Sequence, residues 1–282
     1  MKTLGEVLTL SLNFLKDKNS PRFRRDAEEL IGHVLKLKRL DLYMQFDRPV
    51  LETELETLRA LLKRAVKGEP VEYIVGEVSF YHCAITVGPG VLIPRPETEI
   101  LVDQACRMLR TSHFQGKIAW DLCTGSGCIG IAVKKSCPDL SISLSDISEK
   151  ALEIARINRK KNDVEVEILH GDLLSPFASR KADVIFCNPP YVSSKEFITL
   201  DRSVKDFEPE GALVGGEDGL SFYRRLQEEL PAHLNPQAKI FFEIGAGQGK
   251  ALLSLFSGKG WKNGRVEKDW AGHDRFFFLE FE

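Results

Sequence analysis

From Ile118 to Phe281 short apolar runs of strand length alternate with amphipathic helical stripes. Strands are expected at Ile118–Leu122, at Ser141–Leu144 running on to Asp146, and at Val166–Leu169, Val184–Cys187, Ile240–Ile244 and Arg275–Phe281. Helices are expected at Ile129–Lys135, Glu149–Asn162, Leu220–Leu230 and Lys250–Phe256, with a long loop after Cys187. Strand–helix–strand repetition leaves little choice of architecture. Each helix returns the chain for a parallel neighbour, giving a sheet covered by helices on both faces. The fold class is therefore α/β.

One strand ends unusually. Asp183-Val184-Ile185-Phe186-Cys187 runs straight into Asn188-Pro189-Pro190-Tyr191. Proline has no N–H, so neither Pro189 nor Pro190 continues a sheet ladder, and the chain leaves the sheet at Asn188. A residue before proline is pushed to extended geometry. The result is a rigid corner rich in acceptors: the Asn188 side-chain oxygen and the Pro189 carbonyl, beside the Tyr191 ring. Such a corner suits a planar NH2 group, although a stiff turn would carry the same residues.

Upstream the chain changes character. Leu4, Val7, Leu8, Leu12 and Leu15 recur at helical spacing, as do Ala27 to Leu37 and Leu55 to Val66. Residues 1–70 read as a small helical bundle closed by Lys67-Gly68-Glu69-Pro70, either a stabilising cap or a docking module. Residues 71–93 (with Tyr73-Ile74-Val75, Val78 to Tyr81 and Ala84 to Val87) read as a β-hairpin linker, and residues 94–282 as the α/β domain. Thr98, or Pro96 with Glu97 and Glu99, is expected to start the next helix.

The chain of 282 residues carries a formal charge of −2, which argues against a protein devoted to neutralising phosphates. Its six cysteines form no C-x-x-C pair, so reduced thiols rather than a zinc site or a disulfide framework are expected. No signal-peptide pattern or membrane-length apolar run occurs, and a cytoplasmic location is the expectation.

Ligands of open parallel sheets bind beyond the carboxyl ends of the strands. The first strand ends in Asp121-Leu122-Cys123-Thr124-Gly125-Ser126-Gly127-Cys128-Ile129-Gly130, a G-x-G-x-x-G pattern, and Asp146 ends the next strand where ribose hydroxyls would lie. That combination fits a nicotinamide dinucleotide or S-adenosyl-L-methionine. Asp121 favours the second, since an acid there repels a pyrophosphate and attracts ammonium and sulfonium charge. Asp172 and Leu173, after the third strand, stand where an adenine amine and ring would lie.

Taken together, Asp121, the glycine turn, Asp146, Asp172 and Asn188-Pro189-Pro190-Tyr191 resemble a class I S-adenosylmethionine-dependent methyltransferase acting on a planar nitrogen. The run Tyr73-Ile74-Val75-Gly76-Glu77-Val78-Ser79-Phe80-Tyr81, then Val91-Leu92-Ile93-Pro94-Arg95-Pro96-Glu97-Thr98-Glu99, is narrower. With Glu208-Pro209, Gly215 to Leu220, Glu243-Ile244-Gly245 and Gly272-His273-Asp274-Arg275, it resembles the peptide chain release factor N5-glutamine methyltransferase (PrmC/HemK) family along essentially the whole chain.

The resemblance implies a Rossmann-like, mostly parallel seven-stranded sheet with an N-terminal helical bundle that grips the substrate. It implies methylation of the glutamine amide in the Gly-Gly-Gln motif of bacterial class 1 release factors. Cofactor contacts then fall on Cys123, Thr124, Gly125, Ser126, Gly127, Asp146, Leu173 and Asn188, and substrate contacts on Asn188, Pro189, Pro190 and Tyr191. Arg95, Pro96 and Glu97 would lie near the methionine end. The family usually has glycine at position 123; the cysteine here is expected to sit in ordinary β or bridge geometry. No metal is implied. Rival readings are a ribosomal-protein glutamine methyltransferase, a DNA adenine-N6 methyltransferase, which would carry a basic recognition region, and an NAD-dependent dehydrogenase, which leaves Asn188 to Tyr191 unexplained.

Overall fold

A computed structural model describes residues 2–18, 20–110 and 114–282. The chain divides into two compact units, Met1–Glu77 with Asp201–Phe207, and Val78–Leu200 with Glu208–Glu282.

The first unit is helical, as its apolar spacing requires. Strand β1 (Lys2–Thr3) leads into α1 (Leu4–Asp17), which starts on a capping box: Glu6 N donates to Thr3 Oγ1 and Thr3 N to Glu6 Oε2. Helices α2 (Phe23–Leu35) and α3 (Arg39–Met44) follow, then β2 (Pro49–Val50), antiparallel to β1, and α4 (Glu52–Val66). Leu4, Leu8, Leu15, Leu30, Ile31, Leu55 and Leu58 share one core.

Tyr73-Ile74-Val75, expected as strand, lies instead in a one-turn helix, α5 (Val71–Val75). Its ends explain it: Pro70 precedes the first turn and Gly76 closes it at φ 80°. Glu72 takes both guanidinium nitrogens of Arg22, at 2.9 and 3.1 Å. A short β-branched run cannot be told from a buried helical turn by pattern alone.

The second unit holds the hairpin β3 (Glu77–Phe80) and β4 (Cys83–Thr86), then α6 (Pro96–Leu109). Pro96 stands at the first helical position, and Thr98 caps nothing. The strands β5 (Ile118–Leu122), β6 (Ser141–Asp146), β7 (Glu167–His170), β8 (Ala182–Cys187), β9 (Leu234–Glu243), β10 (Trp261–Lys268) and β11 (Asp274–Phe281) form one sheet. Its order is β10-β11-β9-β8-β5-β6-β7, parallel from β9 to β7, with β11 and β10 antiparallel. Helices α7 (Cys128–Ser136) and α8 (Glu149–Lys161) connect the strands on one side of β5. On the other side lie α9 (Ser194–Thr199), α11 (Ser221–Glu229) and α12 (Gly249–Leu255), while α10 (Arg202–Lys205) belongs with the helical unit.

Two features of this sheet place the site. Strand β8 is buried throughout, as its unbroken apolar run anticipates. The strand order reverses at β5, and the register sets Leu122 beside both Ser145 and Cys187. The carboxyl ends of β5, β6 and β8 therefore open together at the switch point.

The edge strand β10 was not foreseen. Its residues are mostly polar and exposed, and its pairing with β11 shifts register twice, as befits an edge protected from further pairing.

Candidate active site

The glycine turn after β5 is a tight left-handed structure: Cys123 and Gly125 both have φ 54° and Gly127 has φ 81°. The expectation of ordinary geometry at Cys123 is therefore overturned. The turn reverses at this residue, and Cys123 takes a conformation in which glycine pays no steric penalty. Left-handed geometry costs an L-residue about 1–2 kcal/mol, while glycine's extra chain entropy costs about 0.5–1 kcal/mol. Cys123→Gly is thus expected to raise stability by up to about 1 kcal/mol, or about 2–4 °C in Tm. Thermal unfolding checks this; a lower Tm would mean that thiol packing outweighs the strain.

Two carboxylates shape the turn. Asp146, ending β6, accepts from Gly125 N at 2.8 Å and from Ser148 N at 2.9 Å. Asp121 is fully buried beneath the turn, accepting from Thr124 Oγ1 at 2.5 Å and Gly130 N at 2.9 Å. Gly130 lets α7 pack closely on the sheet: a Cβ there would lie 2.1 Å from Leu144 Cδ2 and 3.1 Å from Asp121 Oδ2, so Leu144 would have to move. The buried Asn158 amide fastens the turn to the hairpin, donating to Ser126 O and Thr86 O and accepting from Thr86 N.

Burial pushes the Asp121 carboxyl up to about 7, against the lowering effect of its two hydrogen bonds. The proton is therefore held more tightly in the folded chain than in the unfolded one. The resulting stability is fully present below about pH 4 and is lost as pH rises to about 7. Asp121→Asn removes this titration. The stability of the natural chain relative to the variant should fall between pH 4 and 7 and level off above, as read by urea unfolding; a pH-independent difference would refute it.

A cavity of about 260 Å³ opens at this edge of the sheet. Cys123, Thr124, Gly125, Ser126, Asp146, Asp172, Leu173, Asn188, Pro190 and Arg95 all line it. Asp121, Gly127, Pro189, Tyr191, Pro96 and Glu97 do not. Asp121 instead supports the turn from below, so its carboxylate does not face a ligand directly. The Asp172 carboxylate takes both guanidinium nitrogens of Arg225, at 3.1 and 3.0 Å, and Leu173 stands at φ 46°.

Several lining residues were not expected at the site: Leu92, Ile147 and Phe222, and Pro209, Gly211 and Ala212 of a strap after Glu208. The strap is held by Glu208, whose buried carboxylate accepts from Ile93 N at 3.0 Å and from Arg95 Nη2 at 2.5 Å. Glu208-Pro209 was a marker of the resemblance, but pattern gives no hint that it reaches across 113 positions to Arg95.

Asn188, directly after β8, is half-buried and faces this cavity; among the described residues its side chain has no hydrogen-bond partner. The corner behind it is firmly anchored. Tyr191 O accepts from Gln248 Nε2 at 3.1 Å, and Val192 exchanges backbone bonds with Leu213 and Gly215. The Tyr191 hydroxyl donates to Glu243 Oε1 at 3.3 Å and accepts from Arg275 Nη1 at 3.4 Å. Burial above all holds its phenol well above the usual tyrosine range.

A switch-point sheet, a bare glycine turn, a strand-end carboxylate and an unpaired amide on one cavity define a class I methyltransferase. Family models agree: residues 98–208 match the Methyltransferase small domain and residues 6–76 the PrmC N-terminal domain. A methyltransferase from Pyrococcus furiosus shares the fold, with a TM-score of 0.53 at 20% identity over 80% of this chain and 97% of that one. The release factor glutamine methyltransferase of Thermodesulfovibrio yellowstonii is 42% identical over 91% of this chain and 92% of its own length. That of Bacillus cereus is 37% identical over 98% and 99%. The chain belongs to the release factor glutamine methyltransferase family.

Proposed function

We propose that this chain transfers the methyl group of S-adenosyl-L-methionine to the side-chain amide nitrogen (N5) of the glutamine in the Gly-Gly-Gln motif of bacterial class 1 peptide chain release factors. The observation that carries this reading is the unpartnered Asn188 amide on the cavity that also holds the glycine turn and Asp146.

The cavity's chemistry fits the cofactor. A Cβ at Gly125 would meet no atom within 4 Å, so the turn is bare where it lines the cavity. The charged lining residues are Asp146, Asp172 and Arg95; Arg95 is already tied to Glu208 and Asp172 to Arg225, which leaves Asp146 as the one lining carboxylate without a cation partner among the described residues. Carboxylates without a free cation suit ribose hydroxyls, an amine and a sulfonium, and leave a pyrophosphate unmatched, which counts against the dehydrogenase reading. Asp146 would hold the ribose, Leu173 and Phe222 the adenine face, and the turn from Cys123 to Ser126 the methionine part.

When bound, the cofactor supplies a methyl group activated by its sulfonium. The protein's share is positioning. An amide nitrogen is a poor nucleophile because its lone pair is delocalised into the carbonyl. The Asn188 side-chain oxygen, on the cavity, and the Pro189 carbonyl, beyond its lining, accept the two N–H bonds of the substrate amide once it reaches the corner, fix its plane, and meet the positive charge that develops on nitrogen, whose proton is then lost to solvent. Orientation of this kind supplies as much as about 7–11 kcal/mol.

The helical unit, residues 1–77, is assigned the grip on the release factor, in keeping with its match to the PrmC N-terminal domain. No helix among the described residues is long and apolar enough to cross a membrane. A cytoplasmic setting follows from the proposed substrate. The test is methyl transfer from labelled S-adenosylmethionine to an intact release factor, to one whose Gly-Gly-Gln glutamine is replaced, to a ribosomal protein and to duplex DNA. Label in the intact factor alone is expected; label in DNA or in the ribosomal protein alone would overturn the assignment.

A further inference from the structure

Three segments distant in sequence meet at one buried carboxylate outside the cavity lining. Glu243 ends β9, and the pairing of Cys187 with Phe242 sets it level with Asn188 on the neighbouring strand. Its side chain is buried, and each oxygen accepts from one hydroxyl. Thr98 Oγ1 donates to Oε2 at 2.6 Å, and Tyr191 OH donates to Oε1 at 3.3 Å. Tyr223 OH fixes the backbone beneath by donating to Glu243 O at 2.7 Å. The nearby Arg275 guanidinium is spent elsewhere, on Tyr191 OH, Ile244 O and Asp269.

A buried carboxylate with only hydroxyl donors is a poor device for stability, since burial pushes its pKa up and no salt bridge repays the desolvation, the charge of nearby Arg275 offsetting it only in part. A device for geometry explains it better. Thr98 lies in the first turn of α6 and lines the cavity beside Arg95; Tyr191 ends the acceptor corner. Glu243 is bonded to both.

We propose that Glu243 is a positioning residue for methyl transfer: by clamping the Tyr191 hydroxyl on one side and Thr98 on the other, it fixes the Asn188–Tyr191 corner relative to the Arg95–Thr98 wall of the cavity. This rests on the function proposed above. Glu243 touches neither cofactor nor substrate and acts through Tyr191. Burial keeps the Tyr191 phenol protonated, so it remains a donor to Glu243.

The test compares Glu243→Gln, Tyr191→Phe, the double variant and Thr98→Val in the full chain. Glu243→Gln should lower kcat toward a release factor about tenfold or more, with the cofactor dissociation constant within about twofold, because misplacement is felt in the transition state and not in cofactor binding. The double variant should be no more than about twofold slower than the slower single variant, since both remove one linkage. Effects that multiply, or a kcat within about twofold of the natural chain, would overturn the proposal. Thr98→Val, a milder change, should lower kcat in the same direction and decides the matter if Glu243→Gln does not fold.

A second readout needs no turnover. With 3-fluorotyrosine at position 191, the ligand-free protein should give one narrow fluorine resonance that broadens or splits in Glu243→Gln. An unchanged line would also overturn the proposal. If the natural chain methylates no release factor, the functional assignment fails, while the fluorine experiment still decides whether Glu243 positions Tyr191.

Discussion

Asn188→Ala is expected to reduce methyl transfer to a release factor by about 10²–10³-fold, the loss typical of removing one preorganised polar group from a reacting centre. Cofactor affinity should stay within about tenfold, because the glycine turn, Asp146 and Leu173 line the cavity independently of this side chain. The asymmetry follows from the geometry. Asn188 has no partner within the described protein, so truncation leaves no orphaned group behind and costs the fold little. Single-turnover methyl transfer, beside calorimetric titration of the cofactor, separates the two effects. Unchanged turnover would remove Asn188 from the acceptor role, and a parallel collapse of cofactor binding would reassign it to the cofactor.

Gly215→Ala is expected to damage the same corner from behind. A Cβ at this position would lie 2.3 Å from Pro190 O and 3.0 Å from Gly219 O, both main-chain atoms. A flexible side chain can swing aside, but the carbonyl of Pro190 belongs to a corner stiffened by two prolines. Its neighbour Val192 is bonded to Leu213 and Gly215. Relief must come from moving the corner or the Val214–Gly219 segment. Overpacking of this sort costs about 1–3 kcal/mol, or about 2–4 °C in Tm for each kcal/mol. Methyl transfer should fall with it, because Pro190 lines the cavity. A variant with natural Tm and natural kcat would show that the segment yields freely.

The architecture was legible because strand–helix alternation is a physical signal: each buried strand shows as an apolar run, and each crossover helix as a stripe. Strand β10 escaped because an exposed edge strand has no apolar face to display. Helix α9 escaped although Ser193 and Glu196 spell a capping box, which the structure forms with Ser193 N donating to Glu196 Oε2.

The cavity lining was legible where it rests on a local motif, as in the glycine turn, Asp146 and Asn188. The site was illegible where one residue acts across the fold. Glu208 and Glu243 carry their meaning through partners more than a hundred positions away, and no spacing rule encodes them. Asp121 was read as facing the ligand because its position at the end of β5 is right. Which way a strand-end side chain turns is settled by the Thr124 hydroxyl and the Gly130 amide, not by sequence position.

Cys123 has one more consequence. Of the six cysteines it alone is not buried, and it lines the cavity. A thiol at that spot is a built-in occupancy gauge. A small alkylating reagent should reach it in the empty protein and be excluded whenever a ligand fills the turn, while the five buried thiols stay silent. The alkylation rate then measures the vacant fraction directly, for ligands that are turned over and for those that are not, and a relative with glycine at this position has no such gauge.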